Sequence, residues 1–331
     1  MTDHAGRYAS QLVHAAEVAL RQPGDARTLT TVLYDRWYAP ATGTAPHGLG
    51  PMEVATHLRA ADTASARFED GWTVTTPREA TERTGPPTSP WQVPAVRGGD
   101  VRWVDPIDLV VPGGIGLRPP LGTQVAVCAR RDSVSMLPGW WTTTSQAWSR
   151  SSPPLLRLYW SVDPGDLCRV VERLTAHLDP ATPYALKCPL DLDRCRRPDA
   201  VVLFAPAAEW SALRDRVAAA HRAVVDWLRP RIPALTRALA RGLALAEDPG
   251  DDSFGMHRCG ILARALHDDR RAGVRDAVTL QATAASALEA HGIRPDAPWR
   301  NPGSTAPYPW DPQDAGAPAA PVAPHVAEGR G

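Results

Sequence analysis

Several features are missing from this 331-residue sequence, and each absence excludes a class of protein. No stretch is long and apolar enough to span a bilayer, and the first residues lack a signal-peptide pattern, so we expect a cytoplasmic location. Lysine and arginine together (36) equal aspartate and glutamate together (36), so the formal net charge is +0. That balance gives no indication of binding to nucleic acid or membrane surfaces, and we expect neither as a partner.

Sequence signatures of disulfides, metals and nucleotides are missing as well. The five cysteines are odd in number and contain no Cys-x-x-Cys pair, which predicts reduced thiols. Cys188 and Cys195 have the wrong spacing for a usual zinc site, and we expect no metal and no cofactor. The run GGIG at 113–116 lacks the P-loop lysine and a following helix, so we interpret it as a turn.

The composition that remains is that of an ordinary globular protein, with 44% hydrophobic residues and 34 prolines. We predict a helical region with a Pro-rich loop at 1–98, a β-rich segment at 99–150 and a core at 151–300, packed as one globular unit. A Pro/Ala tail at 301–331 is predicted to be disordered. Trp140, Trp141 and Trp148 favour packing, with a docking surface for an extended peptide as the alternative.

The pattern of apolar residues predicts an α+β fold, with a small central mixed sheet flanked by helices. Helices are predicted at 7–20, 26–37, 52–66, 207–228, 234–247, from 253 onward and at 274–291. Strands are predicted at 101–104, 107–111, 123–128, 155–162, 184–189 and 197–204. Residues 75–94 are polar and proline-rich, which favours a loop or a mobile connector.

Two predicted strands carry charged side chains within apolar runs, where burial makes a charge costly. Alternation along 155–162 places Arg157 and Tyr159 on the face opposite the core residues, and Lys187 lies on the strand at 184–189. The helix between these strands predicts a right-handed crossover with neighbouring parallel strands, which would bring the three side chains together. Arg197 stands at the beginning of the third strand. Alternatively, both cations extend to water over apolar neighbours, and Tyr159 is a packing residue.

The segment 253–258 predicts an anion site at the start of a helix. Ser253 is a suitable N-cap, and His257 and Arg258 follow near the first turn, where a helix offers free N–H groups and partial positive charge. A cation there is unfavourable for the helix alone but is consistent with a bound phosphate. The alternative is an ion pair between Arg258 and Asp251 or Asp252.

In order along the chain, these segments resemble the HopA-type type III effector domain family, whose members include stand-alone lyases of class V lanthipeptide biosynthesis. The resemblance is good from about 157 to 266, and it is carried by RLYW at 157–160, YALK at 184–187, RPDAVVLF at 197–204, GLALAEDP at 242–249 and SFGMHR at 253–258. The family is distantly similar to bacterial phosphothreonine lyases. Where those enzymes have a Lys-x-His strand, this chain has Arg157-Leu158-Tyr159.

The resemblance implies a phosphothreonine-lyase-like core with an N-terminal helical and β-rich extension. It implies β-elimination of phosphate from phosphoserine or phosphothreonine, giving dehydroalanine or dehydrobutyrine. The roles implied are a base, a phosphate cradle and a proton donor. We expect the base to be Lys187, the cradle to be Arg157, Arg197 and Arg258, and the donor to be Tyr159 or His257, with Tyr159 ranked first.

The same resemblance implies the partners of such an enzyme. The substrate would be a phosphorylated precursor peptide. Because the sequence lacks a kinase Gly-rich loop with a paired lysine and a His-Arg-Asp loop, a separate kinase must install the phosphate. A cyclase would then complete the thioether rings. Two alternatives remain, namely a phosphatase and a non-catalytic phosphopeptide-binding or effector-like interaction protein.

Overall fold

The computed structural model describes residues 4–22, 24–46, 48–63, 68–111, 119–128, 131–134, 137–145, 147–148, 154–178, 181–250 and 252–311. The predicted turn at 113–116 lies outside them. Two compact units divide the chain: the first joins Met1–Asp62 to Ser133–Gly331, and the second is Thr63–Asp132. The sequence-based boundary near residue 99 therefore falls inside the second unit, within a β-hairpin.

The described residues form an α+β fold, as predicted. The helices are α1 (His4–Leu20), α2 (Ala26–Leu33), α3 (Pro51–Ala61), α4 (Pro77–Thr84), α5 (Leu167–His177), α6 (Trp210–Val224), α7 (Phe254–Arg271) and α8 (Ala277–Ala290). The strands are β1 (Phe68–Val74), β2 (Val93–Arg97), β3 (Asp100–Val104), β4 (Leu109–Val110), β5 (Gln124–Cys128), β6 (Trp140–Thr144), β7 (Leu155–Trp160), β8 (Ala185–Pro189), β9 (Val201–Pro206), β10 (Arg237–Ala240) and β11 (Leu243–Glu247). None of these helices is long and apolar enough to cross a bilayer.

The second unit is built on an antiparallel sheet with the order β3-β2-β1-β5-β4. Its core is apolar and contains Trp72, Val74, Val93, Ala95, Val104, Leu109, Val125 and Val127. The strands predicted at 101–104 and 123–128 are confirmed, whereas the strand predicted at 107–111 is confirmed only for Leu109–Val110, because Pro106–Asp108 form a 3-10 turn. The loop predicted at 75–94 is wrong in part, because α4 and the start of β2 lie there. Helix α4 is polar around most of its surface and therefore lacks the apolar stripe that predicts a helix.

The larger sheet belongs to the first unit, with the order β10-β11-β7-β9-β8-β6. Every pairing in it is antiparallel, so the predicted mixed sheet is wrong. Strands β7 and β8 do run in the same direction, but they are not neighbours, since β9 lies between them. The buried, almost wholly apolar β9 takes the central position, and a helical connection does not require the strands that it joins to pair.

The helix predicted at 234–247 is also wrong, because these residues form the β10–β11 hairpin. Alanine and leucine favour a helix locally, but β11 is buried along its whole length and pairs with both β10 and β7. Gly242 makes the turn with a positive φ of 66°, and a Cβ at this position would collide with the Arg229 carbonyl oxygen. The tertiary sheet therefore overrides the local preference.

Helix α2 ends in a single π-helical turn, Tyr34–Tyr38, inside the predicted helix at 26–37. The rings of Tyr34 and Tyr38 stack with their centroids 5.3 Å apart. Helix α7 packs closely against this pair, because a Cβ on Gly255 would collide with both rings. Glycine is therefore required at this point of the first turn of α7.

Residues 298–311, here called the C-terminal strap, are held by side chains from distant strands. The buried Glu247 carboxylate accepts hydrogen bonds from the Asn301 backbone N–H (2.6 Å), the Ser304 hydroxyl and the Tyr308 hydroxyl (2.9 Å). Trp310 Nε1 donates to the Leu239 carbonyl at 2.9 Å. The predicted disorder is therefore wrong for 301–311. These residues are ordered by contacts with distant parts of the chain, so their own sequence shows no apolar periodicity. Residues 312–331 lie outside the described residues.

Candidate functional site

The larger sheet presents a polar row of side chains on one face. Residues paired directly across antiparallel strands point to the same side of a sheet. One row across β7, β9, β8 and β6 consists of Tyr159, Val202, Lys187 and Thr142. The adjacent row consists of Arg157, Phe204, Ala185 and Thr144. Arg157, Tyr159 and Lys187 therefore share a face as predicted, although β9 separates the first two from the third.

A cleft of about 520 Å³ lies over this face. Arg157 and Lys187 line it together with Phe204, which lies between them in the sheet. The loop after β11 and the start of α7 form another part of the wall, with Asp248 and Ser253 among the lining residues. The cleft thus combines one guanidinium group, one amine and the N-terminal end of an 18-residue helix.

Lys187 is the only lysine in the sequence, and its amine has an unusual environment. Its Nζ lies 4.5 Å from the ring centroid of Trp140 and 5.4 Å from that of Phe204. Among the described residues it has no hydrogen-bond or ion-pair partner. Burial, helped by the nearby charge of Arg157, lowers the pKa of Lys187 to about 8. About a tenth of the amine is then unprotonated at pH 7, which makes Lys187 a usable base.

Arg157 is buried and lines the cleft. Its Nη2 donates to the Asp248 carboxylate at 2.8 Å and to the Asp252 carbonyl at 2.9 Å. Its Nε is buried and has no hydrogen-bond partner within the part of the chain that the structure describes. The Cζ atom lies 5.1 Å from the Phe204 ring centroid. The guanidinium group is thus fixed on one side and unsatisfied on another.

Tyr159 lies beside Arg157 on β7 but is not part of the cleft lining. Its hydroxyl is buried, and Tyr38 and Arg157 are its polar neighbours, although neither reaches it with normal hydrogen-bond geometry. Burial raises the pKa of Tyr159 to about 12, against the opposing effect of the Arg157 charge. The phenol therefore stays protonated at neutral pH, next to the cleft rather than in it.

Arg197 is not brought to the cleft. Its Nε and Nη2 donate to the two carboxylate oxygens of Asp199 at 3.0 and 3.2 Å, and its Nη1 donates to Asp35 at 3.1 Å. The Tyr34 ring lies 4.2 Å from its Cζ. Burial alone would lower the pKa of Arg197, but pairing with Asp199 raises it above its ordinary value. A phosphate at this arginine would have to displace carboxylates that are already bound.

Arg258 is fully buried and faces the C-terminal strap. Its Nε and Nη2 donate to the carbonyls of Pro298 (3.0 Å) and Arg300 (2.7 Å), and its Nη1 donates to His257 Nδ1 at 2.7 Å. Burial lowers the pKa of Arg258 to about 10. It thus pairs with backbone carbonyls rather than with Asp252, while Asp251 lies outside the described residues.

His257 is not among the residues that line the cleft. Burial, followed by the Arg258 charge, lowers the pKa of His257 below its ordinary value. Because Nδ1 accepts from Arg258, a neutral His257 carries its proton on Nε2. Helix α7 explains the separation: Ser253 caps it at the cleft, accepting from Met256 N–H, and residues 257 and 258 lie about one turn further along.

Sequence reasoning missed Asp248 and Asp252, the partners of Arg157. Because the sequence predicts a helix at 234–247, Asp248 falls just beyond a helix end and not at the end of a strand. A strand ending in Glu247 would have placed Asp248 at the edge of the sheet, beside the cleft. Phe204 was predicted as part of a strand but not as the aromatic floor between the two cations.

The comparison with known proteins now defines the family. The HopA1 effector protein family matches residues 132–300, just over half of the chain. The chain belongs to this family. No curated protein matches the chain.

Two solved structures are similar to this HopA1 family member. One is the effector protein from Pseudomonas syringae pv. tomato strain DC3000, with 14% identity over 91% of this chain and 100% of that chain, and a TM-score of 0.53. The other is the effector protein from Pseudomonas syringae pv. syringae strain 61, with 10% identity over 89% and 97%, and a TM-score of 0.48. At such identity, the first likeness shows the fold alone.

Proposed function

We propose that this protein is a metal-independent lyase that eliminates phosphate from phosphoserine or phosphothreonine in a peptide. The observation that carries the proposal is Lys187, a half-buried amine with a pKa of about 8, in a cleft beside the partly unsatisfied Arg157. A base with a pKa near the working pH and a fixed cation are what this reaction needs.

The chemical step is a β-elimination that requires no further reactant. The neutral amine of Lys187 takes the α-proton of the phosphorylated residue, and the electron pair of that C–H bond forms the Cα=Cβ double bond. The bond between Cβ and oxygen breaks, and phosphate leaves with the electrons of that bond. The products are dehydroalanine or dehydrobutyrine, inorganic phosphate and a protonated Lys187, which returns its proton to solvent.

The phosphate cradle that we propose differs from the three converging arginines predicted from the sequence, because only Arg157 of the three lines the cleft. Arg157 lines the cleft and can offer the phosphoryl oxygens those N–H groups that Asp248 and Asp252 leave unengaged. The start of α7 lies at the same cleft, and the first-turn N–H groups of a helix have no partners within the helix and favour an anion. Arg197 and Arg258 are engaged elsewhere, so in this proposal they stabilise the surroundings.

Proton donation to the leaving group is the secondary requirement. Tyr159 remains the first choice as donor, because it is protonated at neutral pH and adjoins Arg157. Its burial means that substrate binding must open a path to its hydroxyl. His257 is the weaker candidate, because its Nδ1 is engaged with Arg258. Since phosphate is a good leaving group, the positive charge of Arg157 should contribute more than either acid.

The biological setting is proposed on the resemblance alone. The substrate would be a ribosomally made lanthipeptide precursor, phosphorylated by a separate kinase, and a cyclase would use the dehydro residues. We place this chemistry in the cytoplasm, where the precursor is made.

The second candidate is a non-catalytic phosphopeptide-binding or effector-like protein. The observation that favours it is that two of the three predicted cradle arginines are bound within the protein, which leaves fewer charges for catalysis. A phosphatase would be a third reaction class at the same cleft.

Mass spectrometry of a synthetic phosphopeptide separates these functions. We expect incubation with the protein to leave the modified residue one water lighter than unmodified serine or threonine. Hydrolysis would instead restore serine or threonine, and binding alone would leave the mass unchanged. Either of those results, at a protein concentration equal to that of the peptide, would refute the lyase proposal.

A further inference from the structure

The C-terminal strap is linked to the cleft wall through the side chain of Asn301. Asn301 Nδ2 donates to the backbone carbonyl of Asp248 at 2.7 Å, while the Asn301 backbone N–H binds Glu247 at 2.6 Å. Asp248 is the first residue after β11 and lines the cleft. Asn301 therefore fixes the position at which the chain leaves the sheet and enters the cleft wall.

The side chain of Asp248 in turn binds Arg157. Its Oδ1 accepts from Arg157 Nη2 at 2.8 Å and from the Gly250 N–H at 2.9 Å. Both side chains of the ion pair are only 8% exposed, so water competes little with the pairing. The carboxylate engages one nitrogen of the guanidinium group and leaves Nε without a partner among the described residues. Asp248 and the Asp252 carbonyl, which accepts from the same Nη2 at 2.9 Å, thereby fix the orientation of the guanidinium group.

The strap is a firm support for this arrangement, because it is anchored on both sides of Asn301. Before it, the Pro298 and Arg300 carbonyls are held by Arg258. After it, Ser304 and Tyr308 donate to Glu247, which is 2% exposed. These bonds explain why Arg258 is buried, and they hold the chain in place on both sides of residue 301.

We propose that Asn301, acting through Asp248, is a positioning residue that orients the Arg157 guanidinium group toward the cleft. Residue 301 lies just beyond the family match, which ends at residue 300. The effect on catalysis rests on the proposed function, but the effect on Arg157 itself does not.

The test uses Asn301→Ala and Asn301→Ser, which both keep the backbone bond to Glu247 and remove the amide donor. Trp310→Phe is the matched control. It removes a hydrogen bond that the same strap donates to another strand carbonyl, that of Leu239 on β10. Thermal melting of all three variants records any general loss of stability.

The first readout is hydrogen exchange of the Arg157 Nε–H, followed by NMR and assigned with Arg157→Lys. Because this group is buried, it should exchange slowly in the unaltered protein. Loss of one supporting hydrogen bond should speed its exchange about three- to tenfold in both Asn301 variants. The Trp310→Phe variant should leave the exchange rate unchanged.

The second readout is elimination from a phosphopeptide. We expect KM to rise about three- to tenfold in the Asn301 variants, with a smaller change in kcat, because the phosphate contact is disturbed while Lys187 remains. An unchanged exchange rate together with an unchanged KM would overturn the inference. Loss of the whole fold in both Asn301 variants would also overturn it, because the residue would then serve general stability.

The two proposals can fail separately. If the unaltered protein eliminates no phosphate but Asn301→Ala still speeds exchange at Arg157, the lyase function is wrong and the positioning stands. If elimination occurs and the Asn301 variants match the control in both readouts, the positioning is wrong and the lyase function stands.

Discussion

The cleft arginine differs from two arginines that lie away from the cleft, the half-buried Arg197 and the buried Arg258, although all three look alike in the sequence. Arg157 binds Asp248 with one nitrogen and keeps a buried Nε without a partner in the described part of the chain. Arg197 makes a forked pair with Asp199, and Arg258 donates to two carbonyls and a histidine. Burial of a cation therefore does not define an anion site. Of these three arginines, only Arg157 lines the cleft.

The strongest test of this comparison concerns the amine that lies opposite Arg157. Lys187→Met should reduce elimination at least about 10³-fold, because no other amine side chain exists in the sequence to take the α-proton. Phosphopeptide affinity, measured by titration calorimetry, should change little. Lys187→Arg is the control that keeps the charge but cannot act as a base near neutral pH. Full turnover in Lys187→Met would show that the base is elsewhere.

A second test contrasts two arginines directly. Arg157→Gln should weaken phosphopeptide binding about 10- to 100-fold, since it removes a charge-assisted contact made by a buried guanidinium group. Arg197→Gln should weaken it far less, because its donors are occupied by Asp199 and Asp35. Fluorescence anisotropy with one labelled phosphopeptide measures both. Equal losses in the two variants would remove the distinction between the cleft arginine and Arg197.

A third test concerns stability rather than binding. Arg258→Met should lower the free energy of unfolding by about 2–4 kcal/mol, because the Pro298 and Arg300 carbonyls lose their donors in a buried setting. Chemical denaturation provides the measurement, with the exposed Arg78→Met as the control. An unchanged midpoint would indicate that the strap is held without Arg258.

The smallest expected effect is the dependence of the rate on pH. Only the unprotonated amine of Lys187 can accept the α-proton, and its pKa lies near 8. The rate at saturating peptide should therefore rise about tenfold between pH 7 and pH 9 and level off above that. Rates measured from pH 7 to 9, where the phosphate of the peptide stays mostly a dianion, test this. A rate that falls over that range would contradict the role of Lys187 as base.

Local patterns accounted for much of the candidate site. Alternation along β7 and β8 placed Arg157, Tyr159 and Lys187 on the correct face, because side-chain direction in a strand depends only on position. The cap at Ser253 was confirmed, since it bonds a residue three positions away. The Arg197–Asp199 pair is equally local, and the sequence run RPD already contained it. Its significance was missed because a forked pair removes an arginine from a site instead of adding it.

Other features depended on residues far apart in the chain. Segment 234–247 has helix-favouring alanines and leucines, and only pairing of β11 with β7 makes it a strand. The strap at 301–311 lacks any apolar period, and it is ordered by Glu247 and Arg258 from elsewhere in the fold. Neither kind of contact leaves a signal in its own segment.

The sequence by itself determined the α+β class, most helices, the face on which the charged residues of β7 and β8 lie, and the resemblance to the HopA family. These properties follow from periodicity and short-range chemistry. Only the tertiary structure decided which arginine stays available, because hydrogen-bond partners such as Asp248, Pro298 and Arg300 lie about 40 to 90 residues from the arginines that they bind. A donor is free or occupied according to its neighbours in space, and the order of residues alone does not specify them.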